Sequence, residues 1–139
     1  MADDVVVNKV AIIERCVLRV REEYADDEQN LFVNLTRQDS IVLNLQRACE
    51  AAIDLAMHLV RTRRLGVPQE TREAFELLRD AGLLDPDLAD RMTRMVGFRN
   101  VAVHDYRKLD LHIVKSIVTS RLNDFLAFSS TVLQQAGSA

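Results

Sequence analysis

The chain has 139 residues and a formal net charge of −3, and 48% of its residues are hydrophobic. That length fits one domain with a full core, and the acidic balance argues against a protein that coats nucleic acid regardless of sequence. Glycine and proline are few and alternating β-branched runs are scarce, so helices are favoured over sheets. Cys16 and Cys49 lack a CxxC spacing, which predicts buried free thiols in a reducing compartment.

The first residues, Met-Ala-Asp-Asp, contain no basic region and are not followed by an uninterrupted apolar segment. No stretch of the sequence approaches the ~20 apolar residues that are needed to span a bilayer. We therefore expect a cytoplasmic protein that has no membrane partner.

Three segments cover the first half of the chain. Apolar residues at three- and four-residue steps predict a helix over 4–24, and an acidic break follows at 26–28. The segment 31–35 is either a short helix or an ordered loop. A long helix, with Asp39 as its N-cap, is predicted from residue 40 to about 65. At 1.5 Å per residue it is ~37 Å long, and a helix of this length favours a partner packed along it.

Three further helices are predicted in the second half. One spans 69–81, and Asp85-Pro86 opens the next with an N-cap and an N1 proline. The last begins after Asp110 and runs to about residue 135. Four of its residues are expected to face the core: Ile113, Ile117, Phe125 and Phe128.

The organisation of the chain is simple. We find no internal repeat, no low-complexity segment and no linker long enough to divide domains. The prediction is an all-α protein, an antiparallel four- to five-helix bundle. It forms a single domain over 1–139, with its core at about 5–128 and a short C-terminal tail at 136–139.

A polar row lies beside the wide apolar face of the long helix. Glu50, Asp54 and His58 follow one another at four-residue steps, so they share one side of the helix. One interpretation is a solvated helix edge. The other is that Glu50 or Asp54 reaches across to orient an arginine or histidine on another helix.

The helix after Pro86 carries an arginine among apolar residues. Steps of three and four residues place six side chains on one stripe: Leu88, Met92, Met95, Arg99, Ala102 and Tyr106. Because burying an unpaired arginine is costly, Arg99 must be paired or must point into a cavity or subunit cleft. A structural ion pair with Glu50 or Asp54 is the plainer interpretation.

Arg99 and His104 have side chains suited to phosphate chemistry, but they are five residues apart. On an ideal helix that spacing is about 140° around the axis and ~7.5 Å along it. They could grip one phosphodiester if the helix ends near His104 or if a twofold partner closes the site. Gly97 either admits a close backbone approach or is simply tolerated. Segment 89–108 has five Lys/Arg against two acids, a local basic patch that suits a compact phosphate site.

Other kinds of site find no support in the sequence. No set of His, Cys, Asp or Glu has convincing metal-ligand spacing. There is no glycine-rich phosphate loop and no GxSxG motif. His58 and His112 have no nucleophile or ligand spacing beside them. We therefore expect chemistry that needs no metal and no cofactor.

The sequence Arg99-Asn100-x-x-x-His104-x-Tyr106 resembles the Arg-x4-His-x-Tyr motif of HEPN-domain proteins, in the form found in the HepT-like toxins. Three other segments are also similar to that family: 44–54, 75–78 and 97–100. The likeness extends over nearly the whole chain, from about Val5 to Phe128.

The resemblance implies a metal-independent ribonuclease toxin of a toxin–antitoxin pair. In such a protein Arg99 and His104 are catalytic and Asn100 supports them. A twofold homodimer places two motifs about a shared cleft. The implied partner is a minimal nucleotidyltransferase (MNT) antitoxin, which neutralises the toxin by transferring AMP from ATP onto Tyr106.

Elementary chemistry is consistent with that role. Neutral His104 could take the proton of a ribose 2′-OH, and Arg99 could stabilise the charge that grows on the phosphoryl oxygens. Water, Tyr106 or His104 of the other subunit could protonate the leaving oxygen. The RNA could be tRNA or mRNA.

One alternative is a non-catalytic helical partner, or substrate-binding subunit, of a minimal nucleotidyltransferase. Another is a structural helical dimer in which Arg99 only makes a buried ion pair.

Overall fold

The computed structural model describes residues 3–137, and the side chains of residues 3–135. Over that range it is all-helical and contains no strand, which confirms the predicted all-α class. The elements are α1 (Asp4–Tyr24), α2 (Gln29–Phe32), α3 (Leu35–Thr62), α4 (Thr71–Asp80), α5 (Pro86–His104), a 3-10 turn (Tyr106–Lys108), α6 (Leu111–Ser120) and α7 (Leu122–Gly137). The predicted tail at 136–139 lies partly outside the described residues, and α7 continues through Gly137.

The first helix has the bounds that the sequence predicts. The Asp3 carboxylate caps its start by accepting the Val5 N–H at 2.9 Å. Its end is fixed by Ala25, whose left-handed φ of 49° turns the chain while its N–H bonds the Arg21 carbonyl at 2.9 Å. The apolar stripe between the two caps is buried: Val6, Val10, Ile13, Val17 and Val20.

The long helix α3 starts earlier than predicted. Asn34, and not Asp39, is its N-cap, because the Asn34 side-chain oxygen accepts the Arg37 N–H at 3.1 Å. Asp39 therefore lies inside the helix, where its side chain is free for another role. The undecided segment 31–35 divides into the end of α2 and the start of α3. At the other end, Arg64 (φ 53°) and Gly66 (φ 139°) leave the helical path.

Helix α3 runs antiparallel to α1 through the centre of the molecule. The Lys9 ammonium lies 2.9 Å from the Asp54 carboxylate, and Asp3 contacts His58, so early residues of α1 meet late residues of α3. Both apolar stripes of α3 are buried under α1, α4, α5 and α7. The partner expected along this long helix is thus supplied by the chain itself. Cys16 and Cys49 are free and buried, as predicted.

The remaining helices close the core. Helices α4 and α5 pack against each other and on α3, and α7 packs against α1, α3 and α5. The rings of Phe75 on α4 and Phe128 on α7 meet edge to face, with their centroids 5.4 Å apart. No helix of the described part is long and apolar enough to cross a membrane.

The last predicted helix is interrupted, which corrects the expectation of one continuous element. Arg121 (φ −125°, ψ 0°) breaks it into α6 and α7. Ile117, Phe125 and Phe128 are buried as expected, whereas Ile113 is 55% exposed. Ile113 lines an open groove between α5 and α6 instead of facing the core.

Candidate active site

The motif helix α5 ends at His104. Asp85 caps its start by accepting the Leu88 N–H at 3.1 Å, and Pro86 occupies the first turn, as predicted. Asp105 leaves the helical conformation with φ −152° and ψ 63°. Tyr106 therefore lies in the 3-10 turn beyond the helix and is not a further step of a continuous helical stripe.

The Arg99 guanidinium is held on two sides by side-chain oxygens. Its Nη2 lies 3.2 Å from Oε2 of Glu50 on α3, and its Nη1 donates to Oδ1 of Asn100 at 3.2 Å. Its Nε is buried and has no hydrogen-bond partner. A guanidinium carries five N–H donors, so donors remain for a phosphate group. The side chain is 26% exposed.

Glu50 is itself positioned from along α3. The Gln46 side-chain amide donates to Glu50 Oε1 at 3.3 Å, which leaves Oε2 for Arg99. The Glu50 side chain is 39% exposed, so solvent screens its attraction for Arg99. The pair therefore acts mainly to orient the guanidinium. This is the predicted contact between an acid of the long helix and Arg99.

The other two members of the polar row lie outside the site. Asp54 pairs with Lys9 of α1, one helical turn beyond Glu50, and within the described chain its carboxylate makes no ion pair with Arg99 or His104. His58 pairs with Asp3 at the start of α1. Glu50, Asp54 and His58 therefore each contact a residue outside α3. The row is more than a solvated helix edge.

The His104 side chain is exposed and makes no hydrogen bond to any residue in the described part of the chain. Helix α5 continues to this residue, so the 140° separation from Arg99 applies. Arg99 turns toward α3 while His104 turns toward solvent. Helix α5 does end at His104, but the two side chains lie on different sides of it.

Tyr106 contacts α3 at Asp39, a residue that the sequence analysis did not place in the site. Its hydroxyl donates to Oδ1 of Asp39 at 3.2 Å, and the residue is 46% exposed. Partial burial, followed by the negative charge and hydrogen bond of Asp39, raises the pKa of Tyr106 above its usual 10.0. The phenol is consequently protonated at neutral pH. Asp39 and Glu50 are eleven residues apart, three turns of one helix face, and that spacing was the available signal.

The cations of segment 89–108 do not form the free basic patch that their clustering predicts. Four of the five pair with acids: Arg91 with Asp124 at 3.0 Å, Arg94 with Asp90 at 3.1 Å, Arg99 with Glu50 at 3.2 Å and Lys108 with Asp105 at 3.3 Å. Arg107 makes no ion pair with any described residue. Most of that charge is thus neutralised locally.

An apolar groove of 460 Å³ lies beside the motif, between α5 and α6. Its lining includes Gly97, Phe98, Val101 and Ile113. A Cβ atom placed on Gly97 would meet nothing within 4 Å, so this side of α5 is open. Among the described residues, no group of three His, Cys, Asp or Glu is placed to hold a metal ion.

Fold and site together define a helical bundle whose motif helix ends at the histidine of an Arg-x4-His-x-Tyr motif, with two acids of the longest helix contacting the arginine and the tyrosine. The family model described as "Ribonuclease HepT-like" matches residues 13–132. The chain belongs to this family of HepT-like ribonucleases, which confirms the resemblance predicted from the motif and the ribonuclease class that it implied.

Relatives in the family have known roles. The chain is 45% identical over 130 residues to the mRNA nuclease HepT of Shewanella oneidensis, covering 94% of this chain and 97% of that protein. It also matches the tri-AMPylated Shewanella oneidensis HEPN toxin in complex with MNT antitoxin, with a TM-score of 0.89 and 44% identity over 94% of this chain and 97% of that one. A crystal structure of the toxin–antitoxin with AMP-PNP matches equally, at a TM-score of 0.89 and 44% identity, over 94% of this chain and 98% of that one.

Proposed function

We propose that this chain is the toxin of a toxin–antitoxin pair and acts as a metal-independent endoribonuclease. The observation that carries the proposal is the Arg99 guanidinium, oriented by Glu50 and Asn100 but with donors to spare, on the helix that ends in an exposed His104. The roles of the relatives support the same reading. We place the protein in the cytoplasm and treat residues 1–139 as one domain.

His104 acts as the general base. Its neutral imidazole takes the proton of a ribose 2′-OH, and the 2′ oxygen forms a bond to the adjacent phosphorus. The bond from that phosphorus to the 5′ oxygen breaks. The products are a 2′,3′-cyclic phosphate and, once the leaving oxygen is protonated, a 5′-hydroxyl. The exposure of His104 allows a ribose to approach its ring.

Arg99 stabilises the negative charge that develops on the phosphoryl oxygens. A guanidinium that is already oriented needs no reorganisation as that charge grows. Glu50 and Asn100 supply this orientation at 3.2 Å each. Glu50 is a positioning residue, and Asn100, which is exposed beside the guanidinium, supports the phosphate or the arginine.

A twofold homodimer brings the two catalytic groups together. Gly97, Val101 and His104 follow at steps of four and three residues, so they share the side of α5 that Arg99 does not occupy. Val101 is 36% exposed and Gly97 faces open space. Packing of this face against a second copy would bring a second motif helix, with its own Arg99, close to His104.

The cognate partner is a minimal nucleotidyltransferase antitoxin that modifies Tyr106. The tyrosine is exposed and protonated, and Asp39 holds its hydroxyl. Its oxygen bonds the α-phosphorus of ATP, pyrophosphate leaves, and the phenolic proton is released. The added AMP puts bulk and negative charge at the motif, where it competes with the RNA phosphate for Arg99.

The test is cleavage of tRNA and of mRNA by the purified chain in the presence of EDTA. We expect His104→Ala to lower the rate by about 10²- to 10⁴-fold and Arg99→Ala by about 10²- to 10³-fold. His112→Ala is the matched control, because His112 lies on α6 against Phe32 and outside the site. If the wild type cuts neither RNA faster than His104→Ala does, the chain is not a nuclease. Tight binding to the nucleotidyltransferase without cleavage would then support the non-catalytic partner.

A further inference from the structure

A second groove, of 440 Å³, lies between α1 and the first half of α3, and the proposed catalysis does not use it. Arg15, Arg19 and Arg47 line it. Arg19 is engaged, at 3.0 Å with Glu22 and 3.1 Å with Glu23. Arg15 and Arg47 are exposed, and neither makes an ion pair or hydrogen bond with any residue that the structure describes. The groove therefore has two free guanidinium groups.

These two arginines lie close together although 32 positions separate them in the sequence. The antiparallel packing of α1 on α3 brings them to the same groove. Both also act on one thiol: burial raises the pKa of Cys16, and the positive charges of Arg15 and Arg47 oppose that rise. The pair is thus a local concentration of positive charge on a protein whose net charge is −3.

The groove borders the candidate active site at two points. Asp39 lines the groove and also accepts the Tyr106 hydroxyl at 3.2 Å. Arg47 lies one helical turn before Glu50, which holds Arg99. A strand bound at Arg99 and passing Tyr106 would therefore enter this groove.

We propose that the groove marked by Arg15 and Arg47 binds the phosphodiester groups of a nucleotide strand that continues from the candidate active site past Tyr106. The proposal rests on the proposed function. The strand is either the RNA substrate beside the scissile bond or the AMP units attached to Tyr106. Both present the same chemistry, a phosphate monoanion linked to a nucleoside.

The composition of the groove suits such a strand. Guanidinium groups form paired hydrogen bonds to phosphate oxygens. Asp39 is the one acid among the residues that line the groove, and its carboxylate is already engaged by Tyr106. Leu43, 42% exposed between the cations and the site, offers apolar surface to a base.

The first arm of the test measures RNA binding in a His104→Ala parent, in which cleavage of the probe is strongly slowed. The probe is a labelled single-stranded RNA of mixed sequence, about 12 nucleotides long. The doubly substituted Arg15→Ala/Arg47→Ala chain is compared with Arg61→Ala/Arg64→Ala. The control pair loses the same charge from exposed positions at the far end of α3, with Arg61 ~21 Å along the helix from Arg47.

We expect the groove variant to bind the RNA at least about tenfold more weakly and the slope of log K against log salt to shrink by about 1.4, since two phosphate contacts are lost. The control should match the parent in both quantities. All four residues are exposed, so melting temperatures should stay near that of the parent.

The second arm measures modification of the chain carrying its natural His104. Each variant is incubated with ATP and the cognate nucleotidyltransferase, and intact mass counts the AMP units on the chain. Fewer units on the groove variant, with unchanged RNA affinity, would assign the groove to the attached nucleotides. Weaker RNA binding assigns it to the substrate.

The proposal is overturned if the groove variant equals the control in both arms. Failure of the ribonuclease proposal looks different, because then the wild type does not cut RNA and the His104→Ala parent does not bind it. In that case the mass measurement alone decides whether the groove binds phosphodiesters.

Discussion

At the scale of single residues, the site depends on how three polar side chains are held. Arg99 meets Glu50 at 3.2 Å in a partly exposed pair, and such pairs contribute only about 0–1 kcal/mol to stability. The contact matters because it orients the Arg99 guanidinium and so determines which of its N–H groups remain for a phosphate. The His104 side chain, in contrast, has no hydrogen bond or ion pair with any described residue to orient it. A bound strand or a second subunit must supply that constraint.

Tyr106→Phe separates modification from cleavage. The change removes only a hydroxyl, whose hydrogen bond to Asp39 at 3.2 Å is exposed, and such a bond contributes at most about 0.5–1.5 kcal/mol. We expect RNA cleavage to stay within about threefold of wild type, since that hydroxyl is engaged by Asp39 and not by the catalytic pair. Incubation with ATP and the nucleotidyltransferase should add no AMP, as measured by intact mass.

Tyr24→Phe is the control for that experiment, because Tyr24 is the other tyrosine of the chain and is buried at the end of α1. It should still gain AMP. Addition of AMP to Tyr106→Phe would show that another residue is modified. Loss of cleavage would instead make Tyr106 the acid that protonates the leaving oxygen.

At the scale of the elements, the start of α1 joins a helix cap to an interhelical contact. Asp3 accepts N–H groups of its own helix and also contacts His58 of α3. The hydrogen bond from His58 is the largest cause that lowers the pKa of Asp3 below its usual 3.8, and the backbone N–H groups add to it. A lowered pKa in the folded state stabilises the fold above the unfolded pKa, and this stabilisation is lost as the pH falls through the folded value.

The comparison of wild type with Asp3→Asn tests this coupling. Asparagine caps a helix about as well as aspartate but cannot titrate. We expect wild type to melt at a higher temperature near neutral pH, and the difference to shrink only as the pH falls below the usual 3.8 and through the lowered pKa of Asp3. Asp4→Asn is the control, since Asp4 lies in the same turn without a contact to His58. A difference that is independent of pH would contradict the coupling.

What the sequence predicts correctly depends on how local its cause is. The bounds of α1 follow from a cap, an apolar stripe and an exit that lie within the segment itself. The start of α3 is missed because Asn34 and Asp39 are both good cap residues and only packing chooses between them. The break at Arg121 is missed because apolar spacing continues across it.

The candidate site also has features that follow from local sequence and others that depend on packing. Spacing within one helix places Arg99 on the side that faces the long helix and turns His104 away from it, and the contact with Glu50 is among the predicted alternatives. The hydrogen bond from Tyr106 to Asp39 joins residues 67 positions apart. Periodicity places Asp39 on the same face of α3 as Glu50, but it does not report the contact itself, because that depends on how α5 lies along α3.

At the scale of the whole molecule, the segments that are rich in cations in the sequence are not the surfaces that carry unpaired cations in the fold. The basic segment 89–108 is largely neutralised by its own ion pairs. Helix α1, in contrast, contributes Arg15 to a cationic groove with Arg47. If this groove binds phosphate as proposed, the affinity comes from cations that packing brings together, and it should fall steeply as salt rises.

The division of Arg99 and His104 between two sides of α5 leads to a prediction about the dimer. If each site combines Arg99 of one chain with His104 of the other, a mixed dimer of Arg99→Ala and His104→Ala chains contains one intact site and one doubly defective site. Random mixing of equal amounts should then restore about a quarter of the wild-type cleavage rate, because half of the dimers are mixed and each mixed dimer has one intact site of two.

The two variants are mixed under mild denaturation and then refolded together, and the cleavage rate is measured on labelled RNA. Each variant refolded alone must stay inactive. A mixture no more active than either parent would mean that each chain uses its own arginine and histidine, so that the end of α5 at His104 suffices to bring both to one phosphate.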